Sequence, residues 1–420
     1  MFRSLRNAGF ILAALLLLSL AVSSIAANEL TVKRERSVMR EGPGSFFAIV
    51  SEFSVGEVVN LIEEEDDWFK VSYLSLDGYI SPRILEAAPP RTDIFSRMAD
   101  SIAGTEASRH VMSAGIKGFG EHFSQTFKGD ETFIDYALDY SINPREYRRF
   151  KRDTYRGINL RRLRRDVSIP VSDVPGFYSE VEEGLGLGIA SRIARLGLYR
   201  DFEVVDYVNY VGNLVVEGSE VFDNSFKFFI LDIENPNAYA CPGGIIFITK
   251  GMLRVIRNEA ELALVLAHEV AHSARFHGII EMEQRQHQIG SELAFDEMDR
   301  HFDEFLPDAV SQDVKELIEE MNQEAFKIFE TLIQGRLDQY EEEADFLGMI
   351  YAVRAGYDPQ VFLSLLNRLL SEGHLSNNEH YTQESNKMRS EKMQRNIKKI
   401  DIPSGLLINS ERYRSVMIRL

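Results

Sequence analysis

Residues 258–272 read Asn-Glu-Ala-Glu-Leu-Ala-Leu-Val-Leu-Ala-His-Glu-Val-Ala-His, and no other stretch constrains the fold as tightly. Leu262 to Ala267 are all apolar, so the segment predicts a helix from about residue 259 that is buried over most of its surface. Asn258 supplies an N-cap, and Glu261, three residues on, fits a capping box. His268, Glu269 and His272 nevertheless stand in the middle of this rod. Burying such groups without partners is costly, so the fold must bring something to them.

His268 and His272 are four residues apart. On a helix both imidazoles lie on one face and reach a single ion. Zinc suits the pair, since it takes imidazole nitrogens at about 2.0–2.1 Å. Glu269 is offset by about a quarter turn. It need not bind the ion, but it reaches a water held there. Zinc lowers the pKa of such a water to about 7. A carboxylate within hydrogen-bond reach then takes the proton and returns it to a leaving amine. His-Glu-x-x-His also occurs by chance, but here it lies on a buried helix.

A hydrolytic zinc site takes three protein ligands and keeps an open position. The third must come from elsewhere, and Tyr340-Glu-Glu-Glu-Ala-Asp345 offers four carboxylates. Residues 336–355 predict one helix. Glu341, Ala344, Asp345, Gly348, Ala352 and Ala355 fall on one stripe of it, and apart from the two acids every member is small. Such a stripe lets two helices approach closely, so Glu341 and Asp345 face the metal-bearing helix. Glu342 and Glu343 point about 100° and 200° away and are expected to be ordinary side chains. Glu341 is the candidate ligand. Asp345, one turn on, is placed to accept a ring N–H from a ligating histidine.

His268-Glu-Val-Ala-His272, Asn237-Ala238 with Pro242-Gly243-Gly244, and Glu341-x-x-Ala-Asp345 together resemble the zinc metallopeptidase family of the CAAX prenyl endopeptidases, the heat-shock protease HtpX and the BepA-like proteases. The match runs over about residues 184–370. It implies one Zn2+ per chain on His268, His272 and Glu341, with Glu269 as catalytic base acting on a zinc-bound water. It also implies polypeptide substrates, and a strand within 237–249 against which an extended peptide lies by β-augmentation. Asn237, Ala238, Pro242, Gly243 and Gly244 carry that strand's motif. No membrane-spanning pattern interrupts the catalytic region, so the resemblance is to the soluble, periplasmic branch.

The sequence also departs from the family. Cys241 precedes Pro242 and is expected to be a small buried side chain, the alternative being a thiolate that shields the zinc. The family often carries His-Pro and then an arginine after the third ligand. Neither His374 nor His380 precedes a proline here. Those two histidines, with Arg389 and Arg395 at helical spacing, stand as candidates for oxyanion stabilisation or gating. The stretch 281–335 reads as a long acidic helical insert that covers or gates the cleft. His277, His287 and His301 lie in or beside it and are expected at the surface.

The rest of the chain sets the context. Arg3 and Arg6 precede the apolar run Phe10–Val22 and the small residues Ser23-Ser-Ile-Ala-Ala27. Residues 1–27 therefore read as a secretory signal peptide, an uncleaved anchor being the alternative. The expected location is the bacterial periplasm or cell envelope, with membrane contact peripheral at most. The formal charge is −18, and losing Arg3 and Arg6 takes it to −20, which argues against nucleic acid as a partner. Cys241 is the single cysteine, so no internal disulfide forms.

Residues 28–88 contain short alternating segments, at Leu30–Lys33, Phe46–Phe53, Val58–Ile62 and Trp68–Tyr73, separated by turn signals at Gly42-Pro43-Gly44 and Asp77-Gly78. Their order resembles the bacterial SH3-like domain, which implies cell-wall or envelope-protein partners. Trp68 is expected in its core. Residues 89–180 read as a linker and a helical region. Ten Lys and Arg between Arg145 and Arg165 stand against only Glu146 and Asp153; the run is expected to be a solvated helix or to pack on an acidic face, the alternative being a dock for an anionic membrane surface or cell-wall polymer. Gly184-Leu-Gly-Leu-Gly188 lacks the context of a phosphate loop.

The expected fold class is α+β. A small all-β SH3-like barrel precedes a mainly helical, zincin-type metallopeptidase domain at 181–420 with a small β-sheet. The function expected is an exported zinc endopeptidase acting on unfolded or misassembled envelope proteins. The alternative is an envelope chaperone or cell-wall-binding scaffold with a structural zinc.

Overall fold

The computed structural model describes residues 29–34, 36–65, 67–87, 109–170, 178–285, 336–371, 383–400 and 402–420, with single positions between 323 and 332. The signal-like run, His287, His301, His374, His380 and nearly all of the insert lie outside these residues. The chain divides into two compact units, 1–88 and 89–420.

The first unit is one antiparallel six-stranded sheet. Its strands are β1 (Glu29–Thr31), β2 (Ser37–Arg40), β3 (Ile49–Phe53), β4 (Val58–Glu65), β5 (Trp68–Tyr73) and β6 (Leu76–Ile80), in the order β1-β4-β5-β6-β2-β3. Met39, Val59, Trp68, Val71 and Ile80 fill its interior; on β5 the buried pair is three residues apart, beside a register irregularity in β4. Asp77-Gly78 is not the turn. Tyr73 pairs with Leu76, and Leu74 and Ser75 make the reversal with φ of 47° and 67°, the left-handed pair that a two-residue hairpin needs. Gly78 lies inside β6, where a Cβ would stand 2.5 Å from the Met39 side chain. Close strand packing, not chain reversal, requires that glycine.

Among the described residues the second unit opens on four helices, α1 (Arg109–Thr126), α2 (Glu131–Asp139), α3 (Pro144–Thr154) and α4 (Leu160–Asp166). They belong to the same compact unit as the rest of the chain to residue 420. The glycine cluster shows why. It lies inside α5 (Glu180–Ala194), and a Cβ on Gly184 or Gly188 would come within 2.2 Å of Phe119 or Phe123 on α1. The glycines let the two helices touch.

The basic run occupies α3 and α4. Lys151 and Arg164 turn inward onto Glu217, the latter at 3.4 Å, while Arg145, Arg148, Arg149 and Arg152 stay exposed. Both expectations for this run are thus met by different members of it.

After β7 (Leu198–Tyr199) and α6 (Phe202–Gly218) come β8 (Lys227–Leu231), β9 (Ala238–Ala240) and β10 (Ile245–Thr249). The sheet order is β7-β8-β10-β9, with β10 parallel to β8 and antiparallel to β9. Strand β9 is therefore an outer strand. Phe133 of α2 packs edge-on and tilted against Phe229 and Phe247 of this sheet, with centroids 5.1–5.9 Å apart.

Next follow α7 (Lys250–Val255), α8 (Glu259–Ala274), α9 (His277–Arg285), α10 (Asp338–Arg354), α11 (Val361–Ser371), α12 (Gln383–Lys399) and α13 (Ser410–Met417). Helix α8 is the axis of the unit: every residue but His268 is buried. Asn258 Oδ1 accepts the Glu261 backbone N–H at 2.9 Å. The reciprocal bond differs from a capping box, because Glu261 accepts from the Arg257 N–H at 2.8 Å. Glu259, fully buried, accepts hydrogen bonds from Tyr207, Tyr357, Asn409 and Arg412. That hub fastens the C-terminal segment to the start of α8.

Candidate metal centre

Helices α8 and α10 pack lengthwise, and the small-residue stripe makes this possible. A Cβ on Gly348 would lie 2.8 Å from the His268 backbone nitrogen. Glu341, Ala344, Asp345, Gly348, Ala352 and Ala355 are all buried. The phase read from the sequence therefore holds, and Glu341 and Asp345 face the two histidines.

His268 Nε2 lies 3.3 Å from Glu341 Oε2, and His272 Nε2 lies 3.4 Å from Glu341 Oε1. The two Nε2 atoms are 3.0 Å apart. One ligand atom from each of the three side chains falls within 4.8 Å of the others. On the far side of its ring, His268 Nδ1 sits 3.0 Å from Asp345 Oδ1. The contact is an ion-pair distance outside hydrogen-bond geometry, and the negative carboxylate favours a proton on that nitrogen. His272 Nδ1 is 2.9 Å from His277 Nδ1.

This arrangement tests whether a metal fits. Two imidazole nitrogens and a carboxylate converge in a buried place. Three acceptors held so close repel unless positive charge lies among them. Two imidazoles and a carboxylate are a donor set that zinc takes in hydrolytic sites. The residues fit the ion.

The electrostatics agree. Burial would lower His268, but the Asp345 and Glu341 carboxylates outweigh it and push the ring up to about 10. Burial, with Arg336 and His268 close by, drives His272 well below the usual imidazole range. Burial would raise Glu341, yet Arg389 and both histidines hold it well below the carboxylate range. The group of three thus favours one shared positive charge and a standing negative one.

Glu269 differs from Glu341. It is buried, and burial raises its pKa. No hydrogen bond to it is seen among the described residues. A buried carboxylate near His268 with a raised affinity for protons is equipped as a base.

Arg389 is brought to the site, where it meets two carboxylates. Its guanidinium forks onto Asp345 with two 2.8 Å bonds, and its Nη1 lies 3.1 Å from Glu341 Oε2. Arg395, farther along α12, is exposed. His374 and His380 fall outside the described residues.

The candidate substrate strand is β9. Asn237 anchors its start through the Thr249 backbone and hydroxyl, and Ala238 pairs with Ile248. Pro242–Gly244 forms one 3-10 turn, in which Gly243 and Gly244 have φ of 76° and 82°. The turn cannot take side chains: a Cβ on Gly244 would lie 2.4 Å from the Ser225 carbonyl. Cys241 is fully buried, and burial pushes its thiol upward out of thiolate range, which matches the bland expectation for it.

Three residues were not legible in advance. Arg336, buried, donates from Nη2 to the Ala240 carbonyl at 3.3 Å and ties β9 from its side. His277 is 1% exposed, not a surface residue. Glu343 is not idle: its carboxylate lies 3.0 Å from Arg275 Nε and 3.4 Å from His277 Nε2. The cause is a break in the helix. Phe276 has φ of 56°, which ends α8 and swings His277 back toward His272, so no single helical phase predicts its place.

Residues 206–396 match the profile of peptidase family M48, and residues 37–86 that of the bacterial SH3 domain. The chain is 27% identical over 177 residues to the beta-barrel assembly-enhancing protease of Yersinia pestis, covering 40% of this chain and 33% of that one. It is 26% identical over 187 residues to the protein of the same name from Escherichia coli (strain K12), covering 43% and 35%. It is 35% identical over 71 residues to the mitochondrial metalloendopeptidase OMA1 of Schizosaccharomyces pombe, covering 17% and 21%. The match spans about a third of the length of the first two relatives. Among the described residues no helix is long and apolar enough to cross a membrane.

Proposed function

From a chain that carries a peptidase family M48 domain over residues 206–396 and a bacterial SH3 domain over 37–86, we propose an exported zinc endopeptidase that hydrolyses unfolded or misassembled envelope proteins. The observation that carries the reading is the meeting of His268, His272 and Glu341 around one point, with the buried Glu269 next to His268 on the same helix. The three side chains hold the ion. Zinc there supplies a Lewis acid that polarises the scissile carbonyl and acidifies the attacking water.

The remaining steps belong to the protein's own groups. Glu269 takes a proton from the attacking water and passes it to the leaving amine nitrogen. Asp345 and Arg389 hold the His268 ring. Strand β9, at the sheet edge, offers main-chain groups to an extended peptide. The relatives' name, beta-barrel assembly-enhancing protease, supports polypeptide substrates tied to β-barrel assembly, and the signal-like N-terminus supports export. The SH3 unit is assigned a binding role toward cell wall or envelope proteins.

The test is cleavage of an unfolded polypeptide such as casein, before and after chelation and after zinc is restored. Cleavage lost with the chelator and regained with zinc supports the reading. Zinc-loaded protein that holds unfolded chains without cutting them would instead identify a chaperone with a structural metal.

A further inference from the structure

We infer that His277 and Glu343 form a relay that fixes the ring proton of His272, so that its Nε2 lone pair stays free for the metal. The inference rests on the zinc reading above and assigns two residues outside the ligand set to it.

The geometry runs in one direction. Glu343 Oε2 lies 3.4 Å from His277 Nε2, within ion-pair reach though outside hydrogen-bond geometry, and its negative charge favours a ring proton on the nitrogen that faces it. A neutral His277 therefore keeps its one ring proton on Nε2 and presents a bare Nδ1. That nitrogen lies 2.9 Å from His272 Nδ1. It can only accept, so His272 donates from Nδ1. His272 is then left with its lone pair on Nε2, the atom that faces His268 Nε2 at 3.0 Å and Glu341 at 3.4 Å. Reversing the relay would put a proton on that atom and block it as a ligand.

Each link is held from outside. Arg275 Nε bonds the other oxygen of Glu343 at 3.0 Å, which fixes the carboxylate. The His277 ring packs on Tyr340 at 4.8 Å and crosses the His272 ring at 74°. His268 has its own orienting carboxylate in Asp345. The two ligating rings are thus set by different means, one directly by a carboxylate and the other through an intervening imidazole. Partners of this kind typically change metal affinity by about 10–100-fold when lost.

The test measures zinc affinity by chelator competition in the full chain, with the Co2+ absorption spectrum as a second readout. Glu343→Gln is nearly isosteric and only partly buried, so it should fold. Its amide offers an N–H donor where the carboxylate only accepts. The relay predicts zinc binding about 10–100-fold weaker with an altered Co2+ spectrum. Glu342→Gln is the control and should match wild type. His277→Phe should weaken binding similarly, and His277→Asn, which keeps an acceptor near the Nδ1 position, should restore most of it. Wild-type affinity and spectrum in Glu343→Gln would overturn the relay whatever His277→Phe does. A wild-type chain that binds no zinc would instead overturn the metal reading itself.

Discussion

Gly348 on α10 touches the backbone of His268 on α8, with no room between them for a methyl group: a Cβ would stand 2.8 Å from the His268 nitrogen and 3.0 Å from its Cα. The spacing between the ligand-bearing helices is therefore set by a glycine. Gly348→Ala must push the helices apart, at about 1–3 kcal/mol of stability, and should draw Glu341 away from the two imidazoles. Thermal unfolding and zinc affinity should both fall. Unchanged values in both would mean that the helices have slack there.

The fork from Arg389 to Asp345 does not tolerate a lysine. A point ammonium cannot make both 2.8 Å bonds at once. Arg389→Lys should lower zinc affinity by about tenfold or more, since Asp345 orients His268. If competition titrations give wild-type affinity, the fork does not position the ligand.

The three consecutive glutamates should separate on substitution. Glu341→Gln should abolish stoichiometric zinc. Glu342→Gln should do nothing, because its partner is Lys392, at the surface. Metal content by atomic absorption distinguishes them. Equal loss in both would refute the helical phase on which the ligand assignment stands.

That phase was legible from the sequence, and so was α8. Both rest on regular periodicity, which a buried helix imposes on its residues over several turns. The small stripe on α10 even named the close approach now seen at Gly348. What could not be read lies where the backbone leaves regular geometry. Phe276 at φ 56° redirects His277 onto His272. Leu74 and Ser75 reverse the chain with two residues that carry no turn signature. The glycines of α5 were recognisable as unusual, but only the presence of Phe119 and Phe123 opposite them explains them. Arg389 was legible as a site candidate, but its contact with Asp345 was not, since spacing along one helix cannot say which acid on another it meets.

Acid should weaken the fold through Glu217. Burial would raise this carboxylate, but Lys151, Arg164 and the Tyr147 hydroxyl outweigh it and hold its pKa below the ordinary 4.5. A carboxyl depressed in the folded state stabilises fully above its unfolded value and loses that contribution as pH falls through the folded value. Glu217→Gln, which leaves two cations facing a neutral amide, should cost about 3 kcal/mol or more at neutral pH. The gap between wild type and variant should close below about pH 4.5. Denaturant titrations at several pH values measure it, and a gap constant with pH would contradict the assignment.

The central claim is that a metal-binding triad and a separate base act together at this site. Zinc content and cleavage, measured on the same preparation of Glu269→Gln, test it most directly. The account predicts one zinc per chain with His268, His272 and Glu341 intact, and cleavage of unfolded polypeptide lower by about 10²–10⁴-fold. Wild-type cleavage by the zinc-loaded variant, with contaminating proteases excluded, would contradict it.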